Sequence, residues 1–538
     1  MLKKSIMCLA ALAVVALGAT SCKKDVNNEE NGMQFRAIME TGSAKTELSG
    51  TNVNWIAGDE VMIYGTEQSG VYTATPDAEN ATAATLTKVG QPAQGTPYTA
   101  IYPASAAVNA TTVTLPAVQQ SVDGNLANTF PMFAQSESAT LNFKNLCGVL
   151  KIHLEQEGAT VSRISVTANT EINGNFSVDN SGEAPAISYV TDGDFTTTLI
   201  CSEPQDITNG KDFYIYMPAG EYSGLKIMIM NAGYGVEKNA PANATITIER
   251  SKYSTLSFAN VNMPEPPEGG IWGLYSISAT EQVWISSGNL QYSASSETWR
   301  FAPEQYVYNS TGWKDLFGWG TSGWDNGNTY YLPTDRARGE SSSTGYGYGP
   351  TNGSSYRLPL TGDYANSDWG VYNAISNGGN QAGLWRTLTS TQMNYLVGQA
   401  GKRAGGKYGI GTVHRTRGVI ILPDYWVLPE GLSFVPGANG DWSSNTYDDD
   451  EWKEMEAAGA IFLPAAGYYW GETDSRNTAS SMSSTATCMG YYWTATNSGT
   501  ASANYYNVSN SNNGGCNNRV RYYSYSVRLV KDYVPANE

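Results

Sequence analysis

The chain has 538 residues, a formal net charge of −17 and 41% hydrophobic residues. That length predicts two or three domains with sizeable cores, and the hydrophobic content excludes a chain disordered throughout. The negative charge, with no basic patch, excludes nucleic acid as a partner, because phosphate backbones would be repelled.

Met1-Leu2-Lys3-Lys4, an apolar run from Ile6 to Leu17, and the small residues before Cys22 form the pattern of a secretory signal over 1–21. The run is too short for a permanent membrane-spanning helix. A cysteine directly after small residues predicts cleavage before Cys22 and lipidation of its thiol. The expected location is the outer membrane by a lipid anchor, at the cell surface or in a fimbrium. Residues 22–34, with "KKDVNNEENG", read as a solvated tether.

Beyond Cys8 and Cys22 the cysteines are Cys147, Cys201, Cys488 and Cys516, too few for a disulfide framework. No pair has zinc-ligand spacing, and the two histidines, His153 and His414, stand far apart without neighbouring ligand types. No metal, no cofactor and no catalytic residue is expected.

From 35 to 262 short alternating runs ("EVMIYG", "ATLTKV", "PYTAIYP", "GVLKIHLE", "DFYIYMPAG", "GLKIMIMN", "ATITIER") are broken by Gly, Asn and Pro. Side chains alternate along a strand, so Leu150, Ile152 and Leu154, or Ile227 and Ile229, are predicted to line a buried face. The expected fold is mainly β, an antiparallel sandwich. Gly58-Asp59 and Pro218-Ala219-Gly220 suit turns. "FRA" (35–37), "VNWIAGDEVMIYG" (53–65), "YTAIYPAS" (98–105), "FKNLCGVLKIHL" (143–154) and "FYIYMPAGEYSGLKIMI" (213–229) resemble a fimbrillin-type domain, found in pilin-like lipoproteins of Bacteroidetes. The resemblance implies other fimbrillin-type subunits as partners, joined by strand exchange. It also makes Arg36 a candidate for Arg-specific processing, beside its plainer reading as a surface arginine.

"MPEPPEGG", 263–270, reads as a Pro/Gly linker. Of the 14 Trp all but Trp55 lie beyond it, which marks a second domain over 271–538. In "TLTSTQMNYLV", Thr389 with Gln392 three residues on predicts a capping box, with Met393 and Leu396 on one helix face. In "YDDDEWKEMEAAG", Asp448 to Asp450 sit where a helix dipole favours negative charge, Trp452, Met455 and Glu456 follow, and Gly459 marks the end.

"ISNGGNQAGLWRTLTSTQMNYLVGQ" (375–399), "VIILPDYWVLPEGLSF" (419–434), "NTYDDDEWKEMEAAGAIFLPAAGYYWG" (445–471), "GYYWTAT" (490–496) and "YSVRLVKD" (525–532) resemble the C-type-lectin-like domains of Bacteroidetes lipoproteins. That family, α+β in fold, includes the variable proteins of diversity-generating retroelements. There a template RNA is copied with errors at adenines, and the copy overwrites the 3′ end of the target gene. Asn codons are the usual targets, and they convert without creating a stop. The resemblance implies a variable ligand-binding surface over about 491–523. Asn497, Asn504, Asn507, Asn510, Asn512, Asn513, Asn517 and Asn518 would be unconverted codons, while Ser498, Thr500, Tyr505, Ser509, Cys516, Tyr522 and Tyr523 are of the types such conversion reaches.

Tyr supplies a large amphipathic contact at low entropic cost, and Ser, Asn and Gly adapt their hydrogen bonds. Tyr491, Tyr505, Tyr522 and Tyr523 are thus the expected anchors, with Arg519 and Arg521 adding charge-assisted contacts. Trp493, Tyr506, Val508, Val527 and Leu529 are the expected fixed scaffold. Ser524 stands where that family usually has Gly, which places its turn in question.

The leading expectation is a non-enzymatic adhesin or pilus-tip-like protein whose ligand is a surface protein or glycan. One alternative is a structural fimbrillin-type subunit carrying a non-variable decorative domain. A formylglycine-generating-like enzyme is a minor one, since Cys488 and Cys516 lack that family's close spacing. A calcium-dependent lectin is disfavoured: Glu265-Pro266-Pro267 and Trp324-Asp325-Asn326 do not supply the usual ligand order.

Overall fold

The computed structural model describes residues 34–40, 54–122, 125–126, 130–240, 244–325, 333–334, 358–398, 403, 406–437, 441–469, 489–499, 502–508, 515–521 and 523–535. The segment read as a signal, Cys22 with the tether as far as residue 33, and Cys488 lie outside the described residues.

Two compact units are present. The first holds the strand Phe35–Met39, residues up to Ala110, and Met132–Lys144; the second holds Thr111–Pro131 and everything from Asn145 on. In the first, strands close into a barrel in the order Phe35–Met39, Thr140–Asn145, Met132–Ser136, Tyr98–Tyr102, Glu60–Tyr64, Ser69–Pro76 and Ala83–Val89. The mainly β expectation holds, but this part is a closed barrel and not a sandwich. Closure follows because Phe35–Met39 pairs on both sides, parallel to Thr140–Asn145 and antiparallel to Ala83–Val89, leaving no open edge. Its interior is aliphatic with a few rings: Val61, Ile63, Tyr72, Leu86, Ala100 and Leu141 have no exposed surface. Asp59 closes the predicted turn by accepting the Ile56 amide at 2.8 Å, and Gly58 takes φ +93° there. Arg36 lies in the doubly paired strand and forms a fork with the Asp77 carboxylate, which it holds below the usual carboxylate range. Cleavage beside Arg36 would require that strand to leave the barrel.

In the second unit, Cys147–Glu155 pairs antiparallel to Lys211–Pro218 and parallel to Tyr253–Ala259. Leu150, Ile152, Leu154, Ile227 and Ile229 are fully buried in one cluster, as the alternation predicts. The two histidines are structural partners of aspartates. His153 Nδ1 lies 2.7 Å from Asp212, while His414 contacts Asp449 and stacks on Tyr306 at 4.7 Å.

The units do not divide at 263–270. Leu274 and Trp284 belong to the same core as Leu150 to Met263, Gly233 pairs with Gly273, and Arg163 Nη2 donates to the Tyr425 carbonyl at 2.8 Å. Met263 is buried and its amide donates to Gln156 Oε1 at 2.7 Å. The Pro-rich stretch is packed against its neighbours, so the linker reading from composition is corrected: a shared core overrides it.

Beyond 271 the strands are short and three described α-helices accompany them: Trp369–Tyr372, Ser390–Leu396 and Asp449–Ala457. The Thr389–Gln392 box is complete, with Gln392 N to Thr389 Oγ1 at 3.2 Å and Thr389 N to Gln392 Oε1 at 3.1 Å. Met393 and Leu396 are buried. Asp448 caps the third helix and forms a second box with Glu451; Trp452 and Met455 are its buried side, and Gly459 follows at φ +95°. The final strand, Leu529–Tyr533, sits between Gln282–Ile285 and Arg386–Thr387.

Candidate ligand-binding face

The suspected variable segment forms an antiparallel sheet of Gly490–Ser498, Ser502–Val508 and Cys516–Val520. Register sorts its residues by face. Tyr492 pairs with Tyr506, and both pack with Val508 into a core that includes Ile410, Val419 and Ile461. Trp493 pairs with Tyr505 and Tyr491 with Asn507, so these share the opposite face. On the outer strand Asn517 pairs with Tyr505 and Arg519 with Ala503, and both are exposed.

That second face carries a group of phenol rings. Tyr491 stacks on Tyr525 at 4.8 Å and meets Tyr505 edge-on at 5.3 Å; Tyr468 lies 5.3 Å from Tyr491 and 5.7 Å from Tyr523. Arg519 Nη2 donates to the Tyr523 hydroxyl at 3.2 Å, with its guanidinium 5.0 Å from that ring. Burial, reinforced by Tyr505 and Tyr468, pushes the Tyr491 hydroxyl up to about 12, and burial raises Tyr505 as well. The hydroxyls therefore stay protonated donors at neutral pH. Asn507 Oδ1 is buried and accepts no hydrogen bond among the described residues. The face offers aromatic area, phenol hydroxyls and a fixed positive charge: a recognition chemistry.

The structure thus brings together Tyr491, Tyr505, Asn507, Asn517, Arg519 and Tyr523. It sets Asn504, Cys516 and Asn518 on the other side of the sheet, and Asn497 and Ser498 at the far end of the hairpin. Thr500, Ser509, Asn510, Asn512, Asn513 and Tyr522 lie outside the described residues. Cys516 is a free thiol pushed up to about 12 by burial, and its amide donates to Asn394 Oδ1 at 2.8 Å.

Three expectations are corrected. Arg521 is fully buried, 5.3 Å from the Trp319 ring, and cannot reach a ligand without leaving the core. Tyr505 and Tyr523 are only 9% exposed, so each presents an edge and not a whole ring. The cause is shared: the segment 523–527 is threaded between Phe317 and the sheet, with Tyr525 and Phe317 exchanging amide bonds at 3.0 and 2.9 Å and Ser526 donating to Tyr491 at 2.9 Å. Ser524 fits there without positive φ, in an antiparallel bridge with Tyr469. Sequence reasoning missed Tyr468 as a contributor; the doubled Tyr468-Tyr469 after Gly467 was its signal. The scaffold residues Trp493, Tyr506, Val508, Val527 and Leu529 are all buried.

No family description matches the chain, and no curated protein matches its sequence. Among solved structures, a fimbrial protein from Bacteroides ovatus is 10% identical, covering 94% of this chain and all of its own at TM-score 0.23. A candidate cell adhesion protein from the same species is 11% identical over 43% of this chain and 93% of its own, at TM-score 0.29. Another from Bacteroides thetaiotaomicron is 12% identical over 42% and 92%, at TM-score 0.25. Scores this low leave function to be argued from the chain itself.

Proposed function

We propose that the chain is a lipid-anchored cell-surface adhesin, of pilus-tip character, whose C-terminal lectin-like half grips a surface protein or glycan through the face around Tyr491, Asn507, Asn517, Arg519 and Tyr523. The observation that carries this reading is the gathering of those side chains over a fully packed scaffold, with Trp493, Val527 and Leu529 buried beneath. A rigid base lets exposed residues change at little cost to folding. Retroelement diversification of 491–523 accounts for the Asn, Tyr and Ser content. Pairing of Leu529–Tyr533 on both sides supports a subunit that cannot donate this strand to another.

The test is comparative sequencing of the locus. A nearby reverse transcriptase gene, with a near-copy of the coding sequence for about 491–532 that differs only opposite adenines, is the expected result. A copy differing at other bases overturns diversification. A second reading, a structural subunit with a decorative domain, draws on the low exposure of Tyr505 and Tyr523. It expects adhesion of cells displaying the full chain to survive Tyr491→Ala combined with Arg519→Ala, whereas the adhesin reading expects adhesion to be lost.

A further inference from the structure

Far from that sheet in sequence, a cleft of 370 Å³ opens where residues 156–160, 231–234 and 263–265 meet Trp272 and the end of the helix Asp449–Ala457. Its backbone floor is tight: a Cβ on Gly233 would meet the Ala458 carbonyl at 2.8 Å, and one on Gly459 the Trp272 carbonyl at 2.7 Å. Glycine at both positions is what lets the three segments approach and fixes the cleft between them.

Its walls share one electrostatic preference. Trp272 is 46% exposed, unusual for so large an apolar ring, and lies 5.1 Å from Tyr234. Exposed Glu265 is the charged residue of the lining, and it has no ion-pair partner among the described residues. Its field reaches the Tyr234 hydroxyl, which it helps burial to raise. The helix presents its negative pole here through Ala457, with no basic residue in its last turn. The Asn231 amide is placed for acceptance too: its Nδ2 donates to Thr160 Oγ1 at 2.7 Å and Tyr234 Oη at 3.0 Å, and its oxygen has no hydrogen-bond partner among the described residues. Ring faces, a carboxylate and a helix C-terminus all favour a cation. Met263, Pro264 and Ala159 add apolar wall, which suits an alkyl stem better than a bare ion.

We propose that this cleft is a second binding site, one that takes an arginine side chain presented by a partner polypeptide, with the guanidinium over Trp272 and paired to Glu265. Arginine fits better than lysine because its planar fork can stack and donate at once. The site is independent of the tyrosine-rich face and stands or falls separately from it.

The test is calorimetric titration of the full chain with acetyl-Gly-Arg-Gly amide and with its citrulline counterpart, the neutral isostere. The arginyl peptide is expected to bind, the citrulline peptide about 10-fold more weakly or worse. Glu265→Gln should cost the arginyl peptide a similar factor, Trp272→Ala should abolish binding, and Trp272→Phe should restore part of it. Binding should also weaken on going from about 50 to about 500 mM salt. Equal binding of the two peptides, no effect of Glu265→Gln, no binding at peptide concentrations of about 10 mM, or binding of a neutral methyl glycoside in place of the arginyl peptide would each overturn the proposal. Both side chains are exposed, so unchanged unfolding midpoints are expected; were Trp272→Ala to unfold, the citrulline and Glu265→Gln arms still decide.

Discussion

The barrel that runs from Phe35–Met39 to Thr140–Asn145 and the region beyond 271 are both made of strands, yet they are closed by different means. In the barrel the ladder itself satisfies the backbone, and alternate residues such as Val61 and Ile63 fill much of the interior without polar atoms, while the Tyr72 hydroxyl accepts the Ala93 amide at 2.9 Å. Beyond 271 the described strands are divided among several small sheets and none closes on itself, and side chains bond distant carbonyls as well. Trp319 Nε1 donates to Thr494 at 2.8 Å, Trp493 Nε1 to Phe317 at 2.8 Å, and buried Arg528 to Gln305 Oε1 at 2.6 Å. The aromatic residues concentrated there are thus hydrogen-bonding parts as well as filling. A core held this way is rigid but has few interchangeable members, whereas an aliphatic barrel accepts one hydrophobe for another.

This contrast can be broken most directly by truncation. Trp493→Ala should cost about 3–5 kcal/mol, emptying a large buried site and removing one of the two hydrogen bonds that the Phe317 carbonyl accepts, while Ile63→Val in the barrel should cost only about 0.5–1.5 kcal/mol, both read by denaturant unfolding. Equal costs would erase the distinction.

Next in size is a pH effect confined to the C-terminal half. Asp368 is buried, accepts the Thr387 amide at 2.8 Å and the Gly370 amide at 3.1 Å, and burial raises its carboxyl from 3.8 to about 6. The folded state therefore binds more protons than the unfolded one between these values. Stability from this group is fullest below pH 3.8 and is lost as pH rises through about 6, a change of about 3 kcal/mol. Asp368→Asn should flatten that part of the unfolding midpoint against pH, while lowering stability at the acid end because an amide group would face an N–H donor. A slope unchanged in the variant would assign the titration elsewhere.

Smaller still, Thr389→Ala and Asp448→Ala should each cost about 1 kcal/mol by removing a cap, measurable as a lowered unfolding midpoint. Least of all, Asn517→Ser and Arg519→Ser should stay within about 0.5 kcal/mol of the parent, since both are exposed on the outer strand. A larger loss there would mean that the recognition face is part of the fold's support.

The same contrast explains what could be read before the structure. Leu150, Ile152 and Leu154, the cap at Thr389 and the helix from Asp449 are local patterns, set by neighbours within a few residues, and they were legible. The fate of Arg521 was not. A charged residue in a polar stretch reads as exposed, and its burial depends on Trp319, some two hundred residues earlier. The stretch 263–270 misled for a related reason. Proline and glycine signal a spacer, but nothing near them in the chain announces that Leu274 and Trp284 complete the preceding core. Assembly of Tyr491, Tyr505 and Tyr523 was anticipated as chemistry; their partial burial required the threading of 523–527, which only long-range pairing specifies.

Leu529–Tyr533 pairs with Gln282–Ile285 and Arg386–Thr387, so the element that joins these two earlier strands comes after the stretch 491–523 in the chain. Any interruption of the reading frame between 494 and 528 would strand those two earlier strands without their mate. A process that rewrote this stretch of gene would have to exchange letters without shifting the frame or terminating, or the product would have no lock.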